Sequence, residues 1–565
     1  RVKVDFYDSL RANTTYTIDF SDAIEDNNEG NPMGQYTFSF STGDVIDTMQ
    51  VSGRVLNAAD LEPIKGIMVG LYPADSTWND TLFRTRPFLR VSRTNGEGRF
   101  TIKGVKDGAY RVRALEDKDG DFVFSQKNER VAFDTTVYVT GSFPDVRMDT
   151  VWRDSLWYDS IRVVPYTHYT PDDVLLLAFL EDGQERHLLK TVYPEPTNFT
   201  FYFTAPSDST PRIKGLNFDE RCLVADASLK NDTVTFWVTD TALIHRQDTL
   251  SMILSYMETD TLGQLVVTND TLDLSPKTTY AKIAAERSKQ IEAWEKDRER
   301  RQKKAKKPLP YEENPYERIW LEAGFKPSGG LAPNQNVRYL AKEPILEVDT
   351  TKIHFYVKKD TDWLPAPFLF MPEERSAKSY MLYAEWEPGQ KYRFVMDTAA
   401  VVSVLEHESK SVRQEFHVRA VEEYGSIFIH VISPDTGVVV QLLSKNDKVE
   451  AQQRTDKEGN ADFFFMKPGE YYMRCYVDAN GNGQWDTGDY ASGLQPERVY
   501  YFGKPLPLKA QWDLRQDWDI RAVDVARQKP MAITKQKPDK EKKLKNRNAE
   551  RDREMQRGRK QSTRR

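Results

Sequence analysis

The densest group of side chains with chemical potential is a run of oxygen donors near residue 480. They alternate with small residues and glycines in the sequence DANGNGQWDTGD, and they are Asp478, Asn480, Asn482, Asp486 and Asp489. A hard cation such as Ca²⁺ takes six to eight oxygen ligands at roughly 2.3–2.6 Å, and glycines allow the tight curl. No glutamate closes the loop at its twelfth position, so Asp486 or Asp489 must do so. Asx turns satisfy the same sequence without metal, and both interpretations stay open.

A second acidic loop at Asp117, Asp119 and Asp121 continues into Phe122–Val123–Phe124 and not into a further carboxylate. This departure makes a cation site less expected there. The two loops are nevertheless related, because Thr94–Asp121 aligns without gaps with Thr455–Asn482 at a constant offset of 361 positions. The alignment predicts two copies of one unit, each a turn, a strand, a glycine turn, a second strand and an acidic loop.

Residues that would support catalysis do not form a motif in this sequence. The seven histidines contain no HExxH and no close pair at metal-ligand spacing; they are His168, His187, His245, His354, His407, His417 and His430. No GxSxG elbow, Walker-type phosphate loop or GxGxxG occurs. We therefore predict that the chain is not an enzyme and has no cofactor other than Ca²⁺. A site assembled from distant strands is the alternative.

Composition predicts an all-β protein of several modules. The 565 residues exceed one core, and the aromatic and β-branched residues lie in short stretches broken by Gly, Pro, Asn and Asp. The net charge of −6 draws no nucleic acid to the whole protein, and no apolar run approaches the ~20 residues of a membrane helix. The two cysteines, Cys222 and Cys475, fall in different modules, so we expect unpaired thiols.

The repeated unit resembles a known fold. VSGRV at Val51–Val55, PIKGIMVGLY at Pro63–Tyr72 and the turn that follows are similar to the carboxypeptidase-regulatory, transthyretin-like family. The resemblance implies a seven-stranded sandwich that serves as a non-catalytic accessory. We expect one copy at 47–147 and another at 424–522.

A second resemblance lies upstream of the first copy. Leu10–Gly43, with a tyrosine-containing strand, a polar loop at 22–31 and a closing Phe38-x-Phe40 strand, resembles the C-terminal half of an SbsA-type bacterial Ig-like domain. Together the modules resemble tandem Ig-like lipoproteins of Bacteroidota. The resemblance implies an outer-membrane lipoprotein of the cell envelope, held to the membrane only through an N-terminal lipid anchor upstream of Arg1.

The remaining boundaries follow from changes in pattern. We predict the Ig-like part at 1–46, Ig-like sandwiches at 148–276 and 325–423, a charged helical insertion at 277–324 and a basic disordered tail at 523–565. Within the insertion, Thr278–Lys307 has helix formers throughout, and the predicted helix stops at Pro308. The tail is too basic and too poor in aromatics to bury a core, and it is expected to contact anionic envelope polymers if it binds anything.

These features predict a binding protein of the envelope. We expect a non-catalytic scaffold that presents β-sandwich surfaces to protein or glycan partners, with no specific nucleic acid. The alternatives are an accessory subunit of an outer-membrane assembly machine and an accessory protein of surface polysaccharide degradation. Recurrent Asp-Ser/Thr pairs such as Asp80-Thr81 and Asp248-Thr249 resemble O-glycosylation acceptors of exported Bacteroidota proteins. Turn-to-strand transitions also enrich this pair.

Overall fold

The protein folds almost entirely into β-strands. The computed structural model describes residues 3–7, 9–20, 24–25, 37–152, 158–181, 185–246, 248–260, 264–305, 307–325, 327, 330–374 and 376–539. Strands alternate between buried and exposed residues, as in Leu250–Thr259, because successive side chains point to opposite faces of a sheet. The predicted all-β fold of tandem sandwiches with a helical insertion is confirmed.

The N-terminal part forms a two-stranded antiparallel pair, Thr15–Asp19 with Thr37–Ser41. The predicted tyrosine and Phe-x-Phe strands are these two strands, and Tyr16 stacks on Phe40 with ring centroids 5.5 Å apart. Most of the predicted polar loop at 22–31 lies outside the described residues.

The first repeat module, which contains the first copy of the repeated unit, consists of two packed sheets and one short helix, Leu82–Thr85. One sheet contains Met49–Asn57, Arg99–Val105 and Val174–Ala178. The other contains Met68–Pro73, Arg90–Arg93, Ala109–Leu115, Val131–Phe133 and Tyr138–Val139. Alternate residues of both sheets meet in one core.

The predicted boundary at 147 is wrong for one strand of this module. The predicted boundary places Val174–Ala178 in the next sandwich, whereas the structure pairs this strand in parallel with Met49–Asn57. Val174, Leu176 and Ala178 enter the core of the first repeat module, whereas Leu175 and Leu177 face the second repeat module. The strand is covered on both faces, as parallel pairing usually requires.

A long antiparallel ribbon interrupts the chain before that strand. Gly141–Trp152 pairs with Tyr158–Thr170 as a separate two-stranded sheet. The second module has only a short connection at the corresponding place, between Leu506–Leu508 and Asp513–Asp519. The ribbon is therefore an addition to the first copy.

Two further sandwiches follow. The middle one contains the helices Glu220–Cys222 and Thr241–Arg246 and the strands Leu188–Glu195, Asn198–Phe203, Arg212–Gly215, Leu223–Ala227, Thr233–Val238, Leu250–Thr259 and Leu265–Leu274. The third contains the helix Thr350–Lys352 and the strands Trp320–Leu321, Ala323–Phe325, Val337–Ala341, Ile345–Val348, Ile353–Lys359, Asp362–Pro365, Phe368–Pro372, Ser379–Ala384, Lys391–Met396, Val401–Ser403, Glu408–Ser409 and Val412–His417. Each surrounds its own core.

The charged insertion between these sandwiches contains the helix Tyr280–Lys304, which has no buried residue. Arg287 and Arg298 tie it to the segment that follows by hydrogen bonds to the carbonyl oxygens of Tyr316, Glu317 and Glu312. Within the described residues, no helix is long and apolar enough to span a membrane.

The second repeat module has the same two-sheet arrangement as the first. Its sheets contain Gly425–Ile432, Asn460–Met466 and Asp513–Asp519, and Val438–Leu443, Val449–Arg454, Gly469–Val477, Val499–Tyr501 and Leu506–Leu508. Short helices flank the module at Val421–Glu423 and Val525–Arg527. Asp513–Asp519 pairs in parallel with Gly425–Ile432, as Val174–Ala178 does with Met49–Asn57 in the first copy.

The two copies, far apart in the chain, pack directly against each other. One hydrophobic cluster joins Leu56 and Leu61 of the first copy with Val439, Tyr472 and Tyr501 of the second. Residues beyond 523, predicted to be a disordered tail, are ordered as far as 539 and place Ile533 in this cluster with 3% exposure. The prediction is wrong for 523–539, because Ile533 packs into the apolar cluster formed by both copies. Residues 540–565 lie outside the described part.

Candidate functional site

The predicted loop near residue 480 is built around the carboxylate of Asp478, which is 2% exposed. Its Oδ1 accepts hydrogen bonds from the backbone N–H groups of Gly481 at 2.8 Å and Asn482 at 3.1 Å. Its Oδ2 accepts from the N–H of Gly483 at 2.9 Å and lies 3.4 Å from Nη1 of Arg454. Gly481 and Gly483 both have positive φ, which lets the chain curl around the carboxylate.

Three further predicted residues converge on the same loop. The Nδ2 atoms of Asn480 and Asn482 donate to Oδ2 of Asp486 at 2.5 and 2.8 Å. Rotating each amide by half a turn would present its oxygen instead, since amide nitrogen and oxygen exchange places. The loop can therefore offer carboxylate and amide oxygens to a hard cation.

The fifth predicted residue, Asp489, has a different role. Its Oδ1 accepts from both the N–H and the hydroxyl of Ser492 at 2.7 Å. These hydrogen bonds lower the pKa of Asp489. Asp489 thus stabilises the turn that follows the loop.

Glu497 is the carboxylate that closes the loop, and sequence reasoning missed it. Its Oε1 accepts from the N–H of Ala479 at 2.8 Å and its Oε2 from the N–H of Asp486 at 3.1 Å. Partial burial raises the pKa of this side chain. Glu497 could not be assigned to the loop from the sequence, because a short cation-loop motif ends before residue 497.

The first acidic loop is closed in the same way, contrary to the expectation that no carboxylate follows. Glu129 is fully buried and accepts from the N–H groups of Lys118, Ser125 and Gln126, each at 3.1 Å. Carboxylate oxygens of Asp117, Asp119 and Glu129 lie within 4.8 Å of one another. Strand pairing brings Glu129 to the loop, because Glu129 lies just before Arg130 and the strand Val131–Phe133.

The two loops correspond position by position until the closing glutamates. Asp117, Asp119 and Ser125 lie 361 positions before Asp478, Asn480 and Asp486. Glu129 and Glu497, in contrast, are 368 positions apart, so the second loop carries seven additional residues. The alignment of the two copies could have identified both glutamates, provided that seven additional residues are allowed in the second loop.

The additional residues of the second loop dock onto the first module through Tyr490. Its ring centroid lies 5.0–5.8 Å from those of three aromatic residues of that module, which are Phe83, Phe124 and Phe133. Its hydroxyl donates to the carbonyl oxygen of Asp80 at 2.9 Å. Nearby, the Thr487 hydroxyl donates to the carbonyl oxygen of Leu180 at 2.6 Å. Edge-to-face ring contacts of this kind add to simple burial.

A buried lysine fixes the segment after the second module across both copies. Nζ of Lys529, 5% exposed at its side chain, lies 2.8 Å from carboxylate oxygens of Glu62 and Asp447. It also donates to the carbonyl oxygen of Asp60 at 2.7 Å. Burial lowers the pKa of Lys529, but Tyr501, Asp447 and Glu62 outweigh it, and the pKa is raised.

The histidines lie apart, several of them with carboxylate partners of their own. His168 lies between Asp145 and Asp172, and His407 contacts Glu343 at 3.0 Å. In the described part of the chain, the acidic side chains that lie close enough together to share a metal ion are the three carboxylates of the first loop, and no histidine belongs to this group. The two cysteines are free thiols, and Cys475 is buried.

Comparison with known proteins supports a bacterial Ig-like start of the chain. Residues 1–42 match the family model described as a bacterial Ig-like domain. No curated protein matches the sequence.

Several solved structures match parts of the chain. The major pilin subunit BcpA of Bacillus cereus is 9% identical, with 84% of this chain and 100% of that chain covered and a TM-score of 0.14. A fragment of Escherichia coli alpha-2-macroglobulin spanning domains MG0-NIE-MG1 is 11% identical, covering 58% and 98%, with a TM-score of 0.19. The Bacteroides ovatus protein SGBP-B, solved with a mixed-linkage heptasaccharide, is 8% identical, covering 75% and 89%, with a TM-score of 0.17.

Proposed function

We propose that this protein is a non-catalytic scaffold of the bacterial cell envelope that presents β-sandwich surfaces to protein or glycan partners. The observation that carries the proposal is the contact between the two repeat modules. Their joint apolar cluster and the buried Lys529 make one body from modules at opposite ends of the chain. The middle and third sandwiches lie in the chain between these copies, so both their ends are anchored to one rigid base.

The exposed helix Tyr280–Lys304 favours the second candidate, a subunit of an envelope assembly machine. It has no buried residue and ends in Arg301, Lys303 and Lys304. Because Arg287 holds the helix to the following segment and its surface is exposed, a partner protein could bind along it. An outer-membrane lipid anchor and contact of 540–565 with anionic polymers remain part of the proposal.

Calcium binding at the two acidic loops is the metal component of the proposal. Asp478, Asn480, Asn482 and Asp486, with Glu497, would hold the ion in the second module. Its role would be structural, because a filled loop fixes the connection that leads to Tyr490. No step of chemistry is assigned to it.

A co-sedimentation assay tests the scaffold proposal. The full chain is incubated with purified peptidoglycan sacculi, outer-membrane vesicles and insoluble polysaccharide, and the release of reducing ends is followed in parallel. We expect the protein in the pellet of at least one polymer, with no increase in reducing ends. Release of reducing ends would show an enzyme. If the protein pellets with none of the polymers, the polymer-binding role is contradicted. The second candidate function is tested by capturing protein partners from the envelope fraction with the full chain and with a chain lacking 278–325; loss of those partners on deletion would support the assembly subunit.

A further inference from the structure

A cleft lies between the third sandwich and the second repeat module. Its volume is about 460 Å³, within the range of ~300–1,000 Å³ typical of small-molecule sites. One wall is aromatic and includes Tyr424, Phe464, Phe465 and Tyr471. Phe464 is 53% exposed there, and Phe465 meets Tyr424 edge to face at 6.0 Å.

The backbone at Phe465 is in a conformation that disfavours a side chain. Its φ is +54°, in the left-handed region where a bulky residue is a genuine outlier. The equivalent position of the first copy, 361 residues earlier, is Gly104 with φ +69°. Both lie in the same β-bulge, since the ladders shift register at Gly425–Ile427 and at Met49–Val51.

The first copy shows why glycine is required there and what differs in the second. A Cβ at Gly104 would lie 2.4 Å from Oγ1 of Thr17, because the N-terminal strand pair packs on the bulge. In the second copy the corresponding space beside the bulge is the cleft, and Phe465 occupies the position with positive φ. Retaining strain at a bulge is characteristic of functional sites.

A buried hydroxyl in the cleft wall lacks a partner. Tyr424 is 4% exposed, and its hydroxyl oxygen makes no hydrogen bond within the described residues. Burying such a group without a partner is unfavourable, so each instance calls for an explanation. A ligand that reaches this hydroxyl would satisfy it.

The polar wall indicates what the ligand is. The amides of Asn334, Gln335 and Gln453 each offer donors and an acceptor, and Glu450 and Asp462 offer acceptors. This mixture matches sugar hydroxyls, which both donate and accept, while aromatic faces match the apolar C–H face of a pyranose ring. Two carboxylates beside one lysine, Lys467, disfavour an anionic ligand. The bulge interrupts the edge strand Asn460–Met466 that an extended peptide would need.

We propose that this cleft binds a neutral pyranose unit of a glycan, stacked on Phe464 and Phe465 and hydrogen-bonded by the Tyr424 hydroxyl and the amides opposite. The assignment rests on the proposed binding function and names its ligand class. It also gives the strained Phe465 and the unpartnered Tyr424 one common explanation.

Saturation-transfer NMR on the full chain tests the cleft. The probes are methyl β-glucoside, methyl α-mannoside, methyl β-galactoside and a valine–threonine hexapeptide. We expect transfer to at least one glycoside, and its affinity should fall about tenfold in Phe464→Ala, consistent with loss of one aromatic contact. Transfer to the peptide alone, or to no probe, would overturn the assignment.

Two variants separate binding from folding. Phe465→Gly restores the residue of the first copy and Tyr424→Phe removes the unpartnered hydroxyl, so both should keep or raise the thermal midpoint while weakening transfer to the glycoside. The matched control is Phe122→Gly, at an exposed phenylalanine that also has positive φ, and it should leave transfer unchanged. A lowered midpoint with unchanged transfer would make both residues structural. If transfer is absent while the chain still pellets with envelope polymers, the cleft assignment fails and the scaffold proposal stands.

Discussion

The ring of Tyr490 lies 5.0 Å, centroid to centroid, from the ring of Phe133, although the two residues belong to different copies of the repeated module. Tyr490 is on the seven residues that distinguish the second acidic loop from the first, and it is 5% exposed. The seven additional residues of the second acidic loop therefore couple the two copies.

Replacing Tyr490 by alanine is expected to loosen this coupling. Truncating a buried aromatic residue costs roughly 3–5 kcal/mol, and here that cost falls on the contact between modules. Calorimetry should show the joint unfolding transition of the two copies moving to lower temperature or splitting. Tyr490→Phe keeps the ring and removes the hydroxyl that donates to the carbonyl oxygen of Asp80, so it should cost about 1 kcal/mol. Tyr7→Ala is the control, since Tyr7 is 99% exposed; equal losses from Tyr490→Ala and Tyr7→Ala would contradict the coupling.

Lys529→Met is expected to destabilise the chain by roughly 3–5 kcal/mol, because it leaves the carboxylates of Asp447 and Glu62, whose side chains are 2% and 13% exposed, without their counter-charge. Denaturant unfolding measures the loss. Adding Glu62→Gln and Asp447→Asn to the same chain should recover much of it by removing the unpaired charges. Lys303→Met is the matched control, since its 3.9 Å pair with Glu299 is on the exposed helix and such pairs contribute about 0–1 kcal/mol. A single Lys529→Met variant as stable as the control would show that the segment after 523 is not held by this lysine.

Calcium titration by calorimetry tests the acidic loops. Wild type should release or absorb heat on binding, and the double variant Asp478→Ala with Asp486→Ala should lose the second-module site. Glu497→Gln should weaken that site by about 10-fold or more, as loss of a supporting carboxylate does. Asp489→Ala is the matched control and should bind as wild type does, because Asp489 accepts from Ser492. No binding heat in wild type would end the calcium proposal.

The His168 side chain should show a raised pKa at the base of the ribbon. Its hydrogen bond with Asp145, followed by that with Asp172, raises the pKa above the ordinary value of 6.5. Because the folded pKa is the higher one, the stabilisation from these pairs is full below pH 6.5 and is lost as the pH rises through the raised pKa. NMR titration of the imidazole should show this, with Asp145→Asn lowering the pKa and Asp172→Asn lowering it too. An unchanged pKa in both variants would contradict the pairing.

The local features of the fold were readable because they depend on neighbouring residues. Alternating aromatic and β-branched stretches predicted the strands, and the helix formers after Thr278 predicted Tyr280–Lys304. The constant offset of 361 positions identified two copies of one module. Four of the five loop residues near 480 do lie together, since a nine-residue curl is set by its own glycines and Asx hydrogen bonds.

Features that depend on distant pairing were missed or misplaced. Val174–Ala178 has the alternation of any sandwich strand, and only its parallel partner Met49–Asn57 assigns it to the first module. Glu129 and Glu497 are ordinary glutamates in the sequence, and only strand pairing brings their carboxylates to the backbone N–H groups of the two loops. The segment 524–539 looks polar by composition, yet Lys529 and Ile533 find partners on a surface formed by both copies.

The sequence by itself determined the all-β class, the duplicated module and the oxygen-rich loops, because strand periodicity and turn chemistry act over a few residues. Only the tertiary structure decided which carboxylate closes each loop, where the first module ends, and that the two copies share one apolar cluster. Such contacts join residues hundreds of positions apart, and no local pattern specifies which buried surface a given side chain will meet.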